Sequence, residues 1–145
     1  MGEDVVRIVD YKTGKYEKNK THADRLDNLF VQETPHGYML QTLIYCLACL
    51  EQKESDGSLL FGENLMPILI FIGKNLKDFD PHLFIHDEAI WSFNKYGEDF
   101  RNQLVELLKE IFKSTNVADF PMCKENKCSA YCPFLSLCNR KVQQF

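Results

Sequence analysis

The segment that most constrains the fold is residues 5–14, which read Val-Val-Arg-Ile-Val-Asp-Tyr-Lys-Thr-Gly. β-Branched residues crowd its first half and a Thr-Gly turn follows, so the segment is predicted to be a β-strand. Because side chains alternate between the two faces of a strand, Asp10 and Lys12 share one face with the apolar residues before them. A carboxylate and an ammonium group are therefore expected together at the end of an otherwise apolar strand face.

An aspartate and a lysine so placed suit metal-dependent cleavage of a phosphodiester. The carboxylate can hold a divalent cation, while the lysine orients or activates the attacking water and offsets charge that develops on the phosphate. The same two residue types at a strand end are also typical of a solvated ion pair, which contributes under ~1 kcal/mol. The pair alone leaves both interpretations open.

Composition fits one globular domain. The 145 residues, of which 45% are hydrophobic and 26% charged, are enough to bury a core. The net charge of −4 lacks the basic footprint that most nucleic-acid binders carry. Nucleases, however, gather carboxylates around metal ions, and a local basic groove can coexist with an acidic total. The charge therefore does not exclude a nucleic-acid partner.

The amino terminus and the apolar stretches predict the cellular compartment, and the compartment in turn bears on the state of the cysteines. The acidic, strand-like start predicts no signal peptide, and the longest apolar stretch is too short to cross a bilayer. We therefore expect a cytoplasmic protein. In that compartment the six cysteines are expected to be free thiols or metal ligands rather than disulfides.

Hydrophobic periodicity predicts an α/β fold. Residues 23–33, 38–52 and 97–114 carry apolar side chains at helical spacing. Residues 65–72 form a nearly continuous apolar run, as expected of a strand covered on both faces. We expect a mixed sheet centred on strands 5–12 and 65–72 and flanked by the second and third helices.

The predicted helix 38–52 is apolar on nearly every side but carries Gln41 and Tyr45, which are four residues apart and share a face. A buried amide without partners costs ~1–3 kcal/mol, so Gln41 requires partners. Either a polar network in the core supplies them, or this face lines an active site or a bound nucleic-acid strand. Cys46 and Cys49 are predicted to be small core residues rather than ligands.

Residues 120–145 are predicted to form a cysteine-rich tail, distinct from a core at residues 1–119. Four thiols close together in a cytoplasmic chain indicate a metal or iron–sulfur site more than disulfides. Their spacing does not match the close pairs of a common zinc finger, and a set of unrelated cysteines is the alternative. The thiols belong to Cys123, Cys128, Cys132 and Cys138.

Three motifs follow one another along the chain. They are Ile-Val-Asp-Tyr-Lys-Thr-Gly at residues 8–14, Gly-Tyr-Met-Leu-Gln-Thr-Leu-Ile-Tyr at residues 37–45, and Cys-Pro-Phe at residues 132–134 followed by Cys138. In this order they resemble the RecB-like branch of the PD-(D/E)xK nucleases. Within that branch the motifs resemble the nuclease domains of bacterial AddB/RecB helicase–nucleases, and the CRISPR-associated adaptation nucleases are related to these.

The resemblance implies a restriction-endonuclease-like fold and a role for each motif. Asp10 would be a metal-binding acid and Lys12 the catalytic lysine, while Gln41 and Tyr45 would line the active site or contact DNA. The implied cofactor is Mg²⁺ or Mn²⁺, with a [4Fe–4S] cluster or zinc at the tail. The implied partners are DNA and a helicase subunit or domain, in DNA recombination and repair.

Two departures from the family pattern shape these expectations. The family places a further metal-binding aspartate on the strand before the Asp-Tyr-Lys-Thr-Gly motif, and only nine residues precede Asp10. We therefore expect the carboxy-terminal portion of a nuclease domain with an incomplete metal site. The family's clustered cysteines follow C-x2-C-x5-C, and here Ser129 stands where one would precede Cys132. Either Cys123 or Cys128 takes over, or the cluster is incomplete.

The sequence thus predicts a metal-dependent DNA exonuclease domain of a RecB/AddB-type helicase–nuclease, incomplete in this chain. Two alternatives stay open. One is a nuclease-like module that binds DNA or a protein without catalysis. The other is a zinc-binding structural protein.

Overall fold

A computed structural model describes residues 4–31, 36–72 and 79–113. Two compact units divide the chain, Met1–Leu107 and Leu108–Phe145. The contacts reported below lie within the first unit. The predicted boundary between residues 119 and 120 falls outside the described residues, as do the four tail cysteines.

Two parallel strands form the centre of the first unit. Strand β1 (Val6–Lys12) pairs with strand β3 (Leu65–Phe71), and the register places Asp10 opposite Leu69. Side chains of β1 alternate between half-buried and exposed, with Asp10 and Lys12 on the half-buried side. Nearly every side chain of β3 is buried, as expected of a strand covered on both faces. Both strands are where the apolar patterns predicted them.

Helix α1 (Gly37–Leu50) lies between the two parallel strands in the chain and packs against both of them. Parallel strands need such a crossover, because a tight turn cannot return the chain to the same end of the sheet. The helix buries Met39, Leu43 and Leu47 against the sheet, and Cys46 lies with them, fully buried. The prediction that Cys46 is a small core residue is confirmed.

A second, smaller sheet replaces part of the predicted single sheet. It has the order β2 (His22–Ala23), β4 (Phe84–Ile85) and β5 (Glu88–Ala89), with β2 parallel and β5 antiparallel to β4. The β4–β5 turn places His86 and Asp87 at positive φ, as a two-residue hairpin requires.

The predicted helix at residues 23–33 is wrong in type. Ala23 is extended because it pairs with Ile85, and within the described residues 23–31 the helical part is Leu26–Phe30, which is a 3₁₀ helix. Residues 32 and 33 lie outside the described residues. Arg25 and Val31 on either side of that turn have extended backbone angles. The apolar residues of this segment still contribute to the core, since Leu29 is buried there.

Helix α2 (Asn94–Lys113) follows the second sheet and begins earlier than the predicted residue 97. The Phe93 amide donates to the Leu65 carbonyl at 2.7 Å, which ties the start of α2 to the start of β3. Phe100 is completely buried in the core, and Arg101 forms an ion pair with Glu51 at the end of α1. α2 is therefore anchored at the end of the sheet opposite to Asp10 and Lys12.

The architecture is α/β, with parallel and antiparallel pairing flanked by helices, as predicted. Of the helices in the described ranges, none combines the length and apolarity that crossing a membrane requires. The core is continuous between the sheets and helices. Its fully buried side chains include Met39, Leu43, Leu65, Leu69, Phe71, Leu83, Ile90, Phe93 and Phe100.

Candidate active site

Asp10 and Lys12 lie together at the carboxyl end of β1, on its half-buried face. Lys12 Nζ is 2.9 Å from Asp10 Oδ2, and only 11% of the aspartate side chain and 14% of the lysine side chain are exposed. Residues two apart on a strand point to the same side, so the backbone itself sets this pairing. The pair is much less solvated than an ordinary surface ion pair, and each charge depends on its neighbours for compensation.

One face of α1 looks onto this pair. Tyr38, Gln41, Thr42 and Tyr45 are spaced i, i+3, i+4 and i+7, which places them along one side of a helix. Lys12 Nζ donates to Gln41 Oε1 at 2.5 Å and lies 4.8 Å from the centre of the Tyr38 ring. The predicted partner requirement of Gln41 is therefore met by a charged group.

A continuous chain of polar contacts runs from Asp10 to the surface. It passes from the Asp10 carboxylate to Lys12, from Lys12 to Gln41, and from Gln41 Nε2 to the Tyr45 hydroxyl, which accepts at 2.5 Å. Tyr45 is 42% exposed, so the chain ends at solvent. The structure thus brings together all four residues predicted for the core of the site.

Two neighbours of the site were not predicted. Thr42 is fully buried, and its hydroxyl lies 2.9 Å from the Tyr38 carbonyl and 3.4 Å from Asp10 Oδ2. Tyr38 places its ring beside Lys12. The i, i+3, i+4, i+7 spacing that relates Gln41 to Tyr45 also includes Tyr38 and Thr42, and it is the sequence signal that points to both.

The carboxylate of Asp10 suits a hard divalent cation such as Mg²⁺, which prefers oxygen ligands. Its described contacts, to Lys12 and Thr42, are both made through Oδ2, and Oδ1 takes part in neither. Among residues 4–31, 36–72 and 79–113, no group of three or more His, Cys, Asp or Glu side chains is placed to hold a metal. Asp10 therefore fits one position of a metal site, and the described side chains do not complete it.

The segment that follows Asp10 in the chain is basic in spite of the acidic total. Residues 12–20 contain Lys12, Lys15, Lys18 and Lys20 with Glu17 as their acidic residue, a local net charge of +3. Local potential near a site, rather than the net charge of the chain, attracts an anionic ligand. This segment supplies the basic footprint that the overall charge of −4 conceals.

Comparison with known families agrees with this geometry. The profile of the PD-(D/E)XK nuclease superfamily matches residues 2–139, which is nearly the whole chain. Searches of curated proteins and of solved structures returned no match. The match spans β1, α1 and β3, the elements that build the polar chain from Asp10 to Tyr45. The chain belongs to the PD-(D/E)XK nuclease superfamily.

Proposed function

We propose that this chain is a DNA-cleaving domain that hydrolyses phosphodiester bonds with the help of a divalent cation. The observation that carries the proposal is the junction of Asp10, Lys12 and Gln41, in which a half-buried ammonium group is held by a carboxylate and an amide at once. A lysine held in this way keeps its charge in a fixed position. Fixed charge where charge develops in the transition state is the largest common source of catalysis.

Each residue has a distinct part in the proposed reaction. Lys12 orients the attacking water and offsets the negative charge that builds on the phosphate. Gln41 fixes the position of Lys12, and the exposed Tyr45 contacts the DNA beside the cut. Asp10 would hold Mg²⁺ or Mn²⁺, which supplies further stabilisation of phosphate charge when bound. The other ligands would be water, phosphate oxygens and groups outside the described side chains.

We further propose that the parent activity is exonucleolytic and of the RecB/AddB helicase–nuclease type, in DNA recombination and repair. Support comes from the order of the motifs at residues 8–14 and 37–45 and from the cysteines at the end of the chain. The helicase would be a subunit or a further domain of the same protein. The tail cysteines would bind a [4Fe–4S] cluster or zinc, and the bound group would hold the tail against the domain.

Cleavage of labelled linear DNA tests the proposal. Single- and double-stranded substrates are incubated with Mg²⁺, Mn²⁺ or EDTA and with the wild type, Lys12→Met or Asp10→Asn. We expect metal-dependent cleavage that each substitution lowers by at least about 100-fold, since loss of one fixed transition-state charge has effects of that size. Lys95→Met is the matched control, because Lys95 is also a paired lysine and lies in the first turn of α2.

Two results would contradict this mechanism. Cleavage that is unchanged by Lys12→Met would exclude the proposed role of Lys12. DNA binding without cleavage, in this chain and in one extended at its amino terminus, would favour the non-catalytic alternative.

The non-catalytic alternative has its own support, because Asp10 would be one ligand of a metal site that the described side chains do not complete. Bound zinc without salt-sensitive DNA affinity would favour a structural protein.

A further inference from the structure

Two lysines share one aromatic ring beside the site. Lys12 Nζ lies 4.8 Å and Lys20 Nζ 5.5 Å from the centre of the Tyr38 ring. Lys12 ends β1, and Lys20 ends a short 3₁₀ helix, Lys18–Lys20, in the loop after it. Tyr38 stands in the first turn of α1. Three separate elements therefore bring a second ammonium group next to the one that Asp10 and Gln41 hold.

The loop fixes the position of Lys20. Its Nζ donates to the Lys15 carbonyl at 2.6 Å and lies 3.8 Å from Glu17 Oε1. The Lys20 side chain is 21% exposed, compared with 71% for Lys18 in the same turn. Thr21 is fully buried directly after it and anchors the loop. A solvent-exposed loop lysine does not need two such contacts, so the position of the Lys20 ammonium group calls for another explanation.

The tight approach of the loop to Tyr38 depends on Gly14. A Cβ added at Gly14 would lie 3.2 Å from the Tyr38 hydroxyl, closer than ordinary contacts allow. The turn that leaves β1 therefore passes close to the ring that both ammonium groups approach. Because both ammonium groups approach the same ring, an anion placed near that ring is attracted by two positive charges.

We propose that Lys20 and Tyr38 form a second phosphate-binding position, which holds a backbone phosphate of DNA next to the one at Asp10 and Lys12. This inference rests on the proposed function, because it assigns the ligand of the same site. Lysine binds phosphate as a compact point charge with three donors, and it needs no planar partner. The phosphate competes with Glu17, the carboxylate that lies nearest to Lys20 Nζ in the absence of DNA.

Lys95 offers a close structural control. Its Nζ lies 5.3 Å from the centre of the Tyr96 ring and 3.5 Å from Glu88 Oε2, so it repeats the ring and carboxylate contacts of Lys20. It stands in the first turn of α2, at the end of the sheet opposite to Asp10. Lys20→Met and Lys95→Met thus remove the same charge and the same kinds of contact. They differ in their distance from the site and in exposure, since the Lys20 side chain is 21% exposed and the Lys95 side chain 67%. Lys20 also donates to the Lys15 carbonyl.

The test is the salt dependence of DNA binding by the full chain. Fluorescence anisotropy of labelled duplex and single-stranded DNA is measured in EDTA over a series of KCl concentrations. Each lost phosphate contact lowers the slope of log affinity against log salt by about 0.9 for duplex and about 0.7 for single strands. We expect this decrease for Lys20→Met, the wild-type slope for Lys95→Met, and rescue of the slope by Lys20→Arg. Equal slopes for wild type and Lys20→Met would overturn the inference.

Further measurements separate the possible failures. If Lys12→Met abolishes cleavage and Lys20→Met leaves the slope unchanged, the inference fails and the proposed function stands. If the wild type shows no salt-dependent affinity, both fail. A lower melting temperature of Lys20→Met with an unchanged slope would mean that Lys20 only holds the loop.

Glu17→Gln provides a second variant in case Lys20→Met does not fold. It keeps Lys20 and removes the carboxylate with which phosphate competes, so we expect tighter DNA binding than with Glu88→Gln, which removes the same charge beside Lys95. Equal affinities of these two variants would also overturn the inference.

Discussion

Lys12 Nζ donates a hydrogen bond to Gln41 Oε1 at 2.5 Å, and this bond joins the end of β1 to the second turn of α1. Lys12 also pairs with Asp10 on its own strand at 2.9 Å. The ammonium group is thus fixed from two directions, by residues on two different elements. In the proposed reaction Gln41 is a positioning residue, and its contribution to cleavage is expected to pass through Lys12.

Gln41→Leu should reduce cleavage by about 10- to 100-fold, the usual cost of removing a group that orients a residue of the active site. The free energy of unfolding should fall by about 1.5–3 kcal/mol, because a hydrogen bond to a half-buried charge is lost. Gln41→Glu keeps an acceptor for Lys12 and should retain more activity than Gln41→Leu. Cleavage kinetics and urea denaturation measure the two effects.

Gln52→Leu is the control for Gln41, since Gln52 is an exposed glutamine just beyond the end of α1. It should leave cleavage and stability at the wild-type values. A Gln41→Leu variant that cleaves DNA as fast as the wild type would show that Lys12 does not need its partner on α1.

Local periodicity was enough to predict where the residues of the site lie on their own elements. Alternation on β1 put Asp10 and Lys12 on one face, and helical spacing put Gln41 and Tyr45 on another. The bond between Lys12 and Gln41 depends on the crossover that packs α1 against β1 and β3, which is not local. Sequence alone predicted the two faces and could not predict the atoms that meet.

The misassigned helix has a similar explanation. Leu26, Leu29 and Phe30 have helical spacing, but Ala23 is held extended by pairing with Ile85, which is 62 positions further along the chain. The pairing holds the start of the segment extended, and the 3₁₀ turn after it buries Leu29 and half-buries Leu26 and Phe30. A partner that distant in sequence leaves no trace in a local pattern.

Thr42 gives a prediction about metal affinity. Its hydroxyl has one proton, which it can donate to the Tyr38 carbonyl at 2.9 Å or to Asp10 Oδ2 at 3.4 Å. In the second arrangement it orients the carboxylate proposed to hold the metal. Thr42→Val should weaken Mn²⁺ binding by about 10-fold and lower stability by about 1 kcal/mol. Thr42→Ser keeps the hydroxyl and should bind Mn²⁺ nearly as the wild type does. Titration of the free Mn²⁺ signal by electron paramagnetic resonance measures the affinity, and equal values for the valine and serine variants would rule out this role.

Gly14 and Gly37 should respond in opposite ways to alanine. A Cβ at Gly37, the first residue of α1, meets nothing within 4 Å, whereas one at Gly14 lies 3.2 Å from the Tyr38 hydroxyl. Gly37→Ala should therefore raise the free energy of unfolding by about 0.4–1 kcal/mol, through lower entropy of the unfolded chain. Gly14→Ala should gain less or lose stability, because Tyr38 has to move. Urea denaturation of both variants decides the matter, and equal gains would mean that Tyr38 yields without cost.

Cys46 should be almost inert in the folded protein. Burial, and to a lesser degree Cys49 nearby, raises the pKa of the Cys46 thiol from 9.0 to about 12. At pH 8 its thiolate should be about 1000-fold scarcer than in unfolded chain, and the thiolate is the species that alkylating agents attack. Because the folded state holds the Cys46 proton more tightly, the contribution of the protonated thiol to stability is fully present below pH 9.0 and is lost as the pH rises toward 12.

Mass spectrometry after iodoacetamide treatment should find Cys46 unmodified in native protein and modified in urea, with the half-buried Cys49 reacting at an intermediate rate. Cys46→Ala should flatten the loss of stability between pH 9 and pH 11, and native labelling of Cys46 as fast as in urea would show that its environment on α1 is not the buried one described.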